Sequence, residues 1–237
     1  MPRRTAPGRV RDIARAACEV FIEKGYRRTL MTDVAARLGL NHALLYRYVE
    51  SKEALLELAA RYAMDPESDL TAEVPLATPP PGHTVGMLRA WIAARARFPV
   101  IRSALETGPG ADPAAELAAV IDEFYGFIED GRLLLSLMES LVIDYPELNA
   151  LYVEDAKRRL IGRLAAFLGS RIAAGSLRPV PDTEIAARFI VESVGWFAWR
   201  RKDNPETAGI DDEQARRSVT ELLLAAFVPD DRRGGAT

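Results

Sequence analysis

Residues 29–55, TLMTDVAARLGLNHALLYRYVESKEAL, are the stretch from which the rest of the chain is read. Val34, Ala35 and Leu38 share one face of a short helix spanning Thr32 to Leu38, and Gly39 ends it because glycine takes left-handed backbone without strain. Asn41 stands at the N-cap position of a second helix, predicted over His42 to Val49, whose Leu45 and Val49 face back toward the first. Ala35 is small where two helices must cross closely. This is a helix–turn–helix plan, in which the second helix enters the DNA major groove. Spacing alone also suits an ordinary buried helix pair. The polar residues sharpen the reading. Asn41, His42, Tyr46, Arg47 and Tyr48 crowd the second helix, and Ser51 and Lys52 open the next one, where free N–H groups and the helix dipole favour a phosphate.

Outward from this stretch the reading stays helical. Upstream, Val10, Ile13, Ala14, Ala17, Phe21 and Ile22 recur at helix spacing up to a stop at Gly25. Cys18 lies on that apolar stripe and reads as a small buried hydrophobe. Downstream, a helix begins after Ser51 and runs to about Met64. Pro66, Pro75 and the run Pro79-Pro80-Pro81-Gly82 then forbid a continuous helix. Further helices are predicted near 84–107, 112–130, 133–143, 145–174, 183–202 and 211–228. Asp112, Asp182 and Asp211 mark helix starts, and Asp144 with Glu147 has capping-box spacing. Strand signals are poor. The predicted organisation is a head over 1–62, a Pro-rich connection over 63–82, a helical body over 83–228 and a tail over 229–237.

Composition agrees with a globular protein and excludes several classes. The 237 residues are 49% apolar and 27% charged, which rules out wholesale disorder. A single cysteine and two distant histidines, His42 and His83, exclude a disulfide framework and leave no metal-ligand spacing, so neither metal nor cofactor is expected. No apolar run reaches membrane-spanning length, and the Arg-rich start has no apolar stretch behind it, so no secretory signal is expected and a cytoplasmic location is. The net charge of −3 hides a division. Residues 1–62 hold twelve basic and seven acidic side chains, and the remainder nineteen and twenty-seven. A basic head can gain affinity for phosphates through counterion release. Arg3, Arg4, Arg9 and Arg11 form a basic arm at its start.

The series Val-Ala, Leu-Gly-Leu, Leu-Tyr-Arg-Tyr-Val and Ser-Lys-Glu-Ala-Leu within residues 29–55 closely resembles the signature of TetR-family (tetracycline-repressor-like) transcriptional regulators, over roughly residues 10–62. The resemblance implies an all-α fold: a three-helix DNA-binding head and a helical ligand-binding and dimerisation body. It implies a homodimeric regulator, a repressor in most members, that leaves a palindromic operator when a small molecule binds. By similarity Tyr46, Tyr48 and Lys52 contact phosphates, while Thr32, Asn41, His42, Ala43 and Arg47 lie where base edges or nearby phosphates are read. The chain departs from the pattern at Leu30, where the family commonly has Ser or Thr as a cap, and at Ala43, Leu44 and Val49 in place of the usual Gly, Thr and Phe. Thr29 or Thr32 is then the expected substitute for the missing cap.

The body carries no sharp motif. Trp91, Phe98, Phe124, Phe127, Met138 and Trp196 are candidates for an apolar pocket. The helix from 183 is apolar on more than one side, which points to Ile190, Val194 and Phe197, with Leu222 and Leu223 of the last helix, as a dimer interface. Two other classes compete with the regulator. One is an all-helical enzyme using paired carboxylates such as Glu139 with Asp144 or Glu192; the other is a protein-binding adaptor. No nucleophile–base set or metal-binding motif favours the enzyme.

Overall fold

The computed structural model describes residues 8–68, 70 and 74–230, with only the backbone described at 152–155. Eleven α-helices and no strand occur among the described residues. The chain forms two compact units. The first joins the residues up to Ala94 with Leu133–Glu154, and the second joins Arg95–Arg132 with the residues from Asp155 onward. The first unit therefore reaches past the predicted head: it takes in the Pro-rich connection, the next helix and a later stretch of chain.

In the first unit, α1 (Arg9–Arg28) packs along α4 (Lys52–Met64), with α2 (Met31–Arg37) and α3 (His42–Leu45) beside them. Ile13, Ala14, Ala17, Cys18 and Phe21 meet Leu55, Leu58 and Ala59 in a core that excludes water. Burial pushes the Cys18 thiol up to about 12, so it stays protonated as an apolar filler. Gly25 breaks the helical path with φ 72°, and a Cβ there would stand 3.2 Å from the Ser140 carbonyl oxygen. Glycine is thus favoured by its conformation, and a Cβ would be tight against that oxygen. The kink frees the Arg27 N–H, which donates to the Asp144 carboxylate at 2.8 Å. Asp144 therefore does not cap the following helix, α8 (Pro146–Asn149), which starts at Tyr145 without a side-chain cap.

The predicted caps at Asn41, Ser51, Asp112, Asp182 and Asp211 all accept backbone N–H bonds two or three residues ahead. Several predicted helices have different limits. The span 84–107 is two helices, α5 (His83–Arg95) and α6 (Pro99–Thr107), parted at Phe98, whose φ of 45° is left-handed. Pro99 forces this break, since proline begins a helix well but cannot continue one. Conversely, 112–130 and 133–143 merge into one helix, α7 (Pro113–Leu141), because Gly131 alone does not stop it. The span 145–174 consists of α8, a wider π-type turn over Ala150–Lys157 and α9 (Arg158–Ala173). The span 183–202 ends its α-helix, α10 (Thr183–Ala198), in a short 3-10 turn, and α11 (Asp212–Phe227) closes the order.

In the second unit α10 packs between α9 and α11, and α6 lies on α9. Two buried arginines fasten it. Arg171, only 1% exposed, donates to Glu116 at 2.9 and 2.6 Å and to the carbonyls of Ala104 and Gly108, so it closes the C-terminal end of α6. Arg201 donates to the carbonyls of Phe197 and Ile210 and pairs with Asp212, which fixes the approach to α11.

Candidate DNA interface

The pair α2–α3 is sorted into an inner and an outer face. Val34, Ala35, Leu45 and Val49 are buried, which fixes α3 against the unit's core. Gly39 carries the turn with φ 63°, and the Asn41 carboxamide accepts the Ala43 N–H at 2.9 Å. What is left outward is the set of residue types that reads DNA: Thr32, Asn41, His42, Ala43, Tyr46 and Arg47 are all exposed. The Tyr46 ring meets the His42 ring edge-on at 4.9 Å, so the two aromatic groups hold each other in place. Tyr48 is half-buried and packs on the core. The helix itself is shorter than predicted. After Leu45 the chain turns through Arg47 and Tyr48 with bonds to the carbonyls of Leu44 and Leu45 at 3.2 and 2.9 Å.

Leu30 is the exposed N-cap of α2 and offers no acceptor. Neither threonine replaces it as a cap. Thr29 is buried and its hydroxyl donates backward to the Gly25 carbonyl at 2.7 Å, and α2 has no side-chain cap bond at its start. Half of a capping box remains, since the Asp33 carboxylate accepts the Leu30 N–H at 2.8 Å.

Lys52 sits over the Tyr26 ring at 4.3 Å and donates to the Arg27 carbonyl at 3.3 Å. Partial burial pulls its pKa below the usual lysine value. A cation thus stands at the start of α4, where the helix dipole is unfavourable to it and a phosphate would offset the cost. The exposed Arg27 and Arg28 follow Tyr26 in the chain. The sequence pattern had not marked these two, nor Tyr26; their basic and aromatic character was the available signal. Of the basic arm, Arg3 and Arg4 lie outside the described residues. Arg9 opens α1, and Arg11 is engaged with Glu67 at 3.5 Å.

Sequence models of two families match the chain. One, described as bacterial regulatory proteins of the tetR family, covers residues 13–59 and hence the whole α2–α3 constellation. The other, described as the C-terminal domain of an AefR-like transcriptional repressor, covers residues 115–227.

The chain belongs to the TetR family.

It is accordingly a DNA-binding transcriptional regulator. Solved structures of TetR-type regulators share its fold. The ketosteroid transcriptional regulator KstR2 of Mycobacterium tuberculosis aligns with a TM-score of 0.58 at 18% identity, covering 97% of this chain and all of that one. AibR, solved with isovaleryl coenzyme A and operator DNA, aligns at 0.51 with 20% identity, over 92% and 100%. A tetR-family regulator from Rhodococcus RHA1 aligns at 0.51 with 21% identity, over 95% and 100%. No curated sequence matches the chain.

In this TetR-family regulator the six candidate pocket residues are shared between the two units. Trp91 and Met138 belong to the first unit, where Met138 is fully buried core. Phe98, Phe124 and Phe127 cluster in the second unit, with ring centroids 6.2 and 5.0 Å from Phe98. Trp196 is partly exposed and stacks edge-on with Phe197. The candidate dimer residues divide likewise. Ile190, Val194 and Leu223 are buried inside the second unit, so their side chains serve its own core and are not available to a partner. Phe197 is half-buried, and Leu222 is exposed. The most exposed apolar residues on α10 are Ile185 and Phe189. Among the described residues no helix is long and apolar enough to cross a membrane, and no cluster of three His, Cys, Asp or Glu could hold a metal.

Proposed function

We propose that this regulator is a homodimeric repressor that holds a pseudo-palindromic operator through α3 and leaves it when a small molecule binds. The observation that carries the reading is the sorting of α2–α3, with its apolar stripe sealed and its polar, aromatic and basic residues outward. In this reading Tyr46, Tyr48 and Lys52 engage phosphates and set the register, whereas Asn41, His42, Ala43 and Arg47, with Thr32 nearby, meet base edges. Ala43 and Leu44 replace hydroxyl readout with apolar contact to thymine methyls. The outward face of α10 and α11 meets the partner subunit, which sets the spacing of two α3 helices on successive major grooves. The aromatic cluster around Phe98 supplies apolar surface for an effector. The protein acts by binding and not by catalysis, and it acts in the cytoplasm.

The test is selection from random duplex DNA at moderate salt, followed by sequencing of the bound fraction. An enriched inverted repeat is the expected result. A folded, dimeric protein that enriches nothing would remove the reading.

A further inference from the structure

The Pro-rich connection is tied to the end of the DNA-reading turn. Leu76 pairs with Val49 in a parallel bridge: its N–H donates to the Tyr48 carbonyl at 2.7 Å, and its own carbonyl accepts the Glu50 N–H at 3.0 Å. The Thr78 N–H donates to the Glu50 carboxylate at 3.0 Å. Residues 76–78 thus form a strap across the chain that leads from α3 to α4. The strap continues into Pro79, Pro80 and Pro81, whose fixed φ angles and missing N–H groups make a stiff segment with no ladder of its own.

That stiff segment is a wall of a cavity of about 430 Å³ within the first unit. The size falls in the usual range for small-molecule sites. Leu56 of α4, Leu88 of α5 and Leu148 of α8 supply apolar walls, and Glu53, Thr78, Thr84 and Tyr145 supply the polar groups. Among the described residues that line it, Glu53 is the only charged one, and no Lys or Arg is present. An anionic ligand would enter without a counter-charge, whereas an ammonium or hydroxyl donor meets a carboxylate.

We propose that this cavity binds a small, mainly apolar molecule bearing an ammonium or hydroxyl donor, received at Glu53, and that the strap passes its occupancy to the end of α3. The site is separate from the aromatic cluster around Phe98. A ligand lodged between α4 and the prolines favours an outward strap, and the three hydrogen bonds at Tyr48 and Glu50 then pull on the turn that carries Arg47. Only a ligand with more affinity for that displaced state shifts the balance. The consequence for the operator rests on the repressor reading above, whereas occupancy of the cavity does not.

The test uses octylamine as the probe, with octanol and octanoate beside it, titrated calorimetrically into the full chain. Octylamine and octanol are expected to bind saturably, and octanoate about tenfold more weakly or worse. Val85→Trp, which fills the cavity from α5, should weaken octylamine by about tenfold or more, and Thr84→Trp does the same should the first variant not fold. Glu53→Gln should remove most of the preference for the amine over octanoate. Absence of saturable octylamine binding, equal binding of octanoate, or tryptophan variants that bind like the parent would overturn the site. Hydrogen exchange at residues 76–78 should quicken in the loaded protein and operator affinity should fall. Unchanged exchange in the octylamine-bound protein would overturn the strap. A chain that selects no operator would defeat the repressor reading alone, because titration and exchange still decide the cavity and the strap.

Discussion

The Tyr26 hydroxyl donates to the Glu53 carboxylate at 2.7 Å, joining the end of α1 to the first turn of α4. The same ring carries Lys52 above it at 4.3 Å and meets Tyr145 edge-on at 4.9 Å. Burial raises the Tyr26 pKa, so the phenol remains a donor, and its hydrogen bond is the largest cause holding the Glu53 carboxyl below the usual value. One side chain therefore sets the position of the cation proposed to meet a phosphate and of the carboxylate proposed to meet an effector.

Tyr26→Phe should expose this link through pH. A carboxyl whose folded-state pKa is depressed contributes stability above its unfolded pKa of about 4.3 and loses it as pH falls through the folded value. Removing the donor raises the folded pKa toward the ordinary one. The urea midpoint of the variant should therefore lie below that of the parent at pH 7, and the gap should shrink by pH 3. A gap of constant size across that range would show that the Tyr26–Glu53 bond is not its source.

What could be read from the sequence follows the reach of each interaction. Asn41, Ser51 and Asp182 cap helices two or three residues ahead, and such local bonds leave a local pattern. Asp144 had an equally good pattern, yet its carboxylate goes to Arg27, 117 positions away, and nothing near it in the chain signals this. The pairing of Leu76 with Val49 is non-local in the same way. The α3 face was legible because only one side of it is apolar. The helix α10 was not, since Ile185 and Phe189 are as apolar as Ile190 and Val194, and only packing decides which pair is buried.

Leu30→Thr should strengthen α2. The variant hydroxyl can accept the Asp33 N–H while Asp33 keeps its bond to the residue-30 N–H, which completes the box that is now half made. Leu30 is 60% exposed, so little burial is lost. A gain of about 0.5–1 kcal/mol in unfolding free energy is expected from denaturant titration. A destabilised variant would mean that the Leu30 side chain does more than its exposure suggests.

Arg171→Lys should be costly although the charge is kept. The guanidinium reaches Glu116 and the carbonyls of Ala104 and Gly108 together, and a single ammonium cannot reproduce that fork. Arg171→Met leaves the acceptors unpaired, and a loss of about 3–5 kcal/mol is expected. Lysine should fall between methionine and the parent in calorimetric or urea unfolding. Equal stability of the lysine variant and the parent would contradict the need for three simultaneous contacts.

Lys52→Ala and Arg47→Ala should differ in kind. Loss of a phosphate contact weakens binding to all sequences and lowers the slope of log affinity against log salt by about one. Loss of a base reader changes which sequences are preferred. Operator titrations from low to moderate salt, with repeated selection for each variant, separate the two. An alanine at 47 that leaves the preference intact would remove Arg47 from the reading set, and an unchanged salt slope at 52 would remove Lys52 from the phosphate set.

The dimer face is tested by charge. Ile185 is 69% exposed, Phe189 56% and Leu222 64%, and the first two stand one helical turn apart on α10, which packs against the helix bearing Leu222. Large apolar side chains left in water on two packed helices mark a surface that gains from a partner. A Phe189→Glu, Leu222→Glu double variant places like charges on a two-fold interface, where each patch meets its own copy. It should keep the parent's helical content and raise the dimer dissociation constant by about a hundredfold or more in sedimentation equilibrium. Operator affinity should fall with it, because a monomer engages one half-site. Val194→Glu and Leu223→Glu should instead unfold the second unit, since both side chains are buried there. A double variant that stays dimeric, with its fold intact, would place the interface on another face.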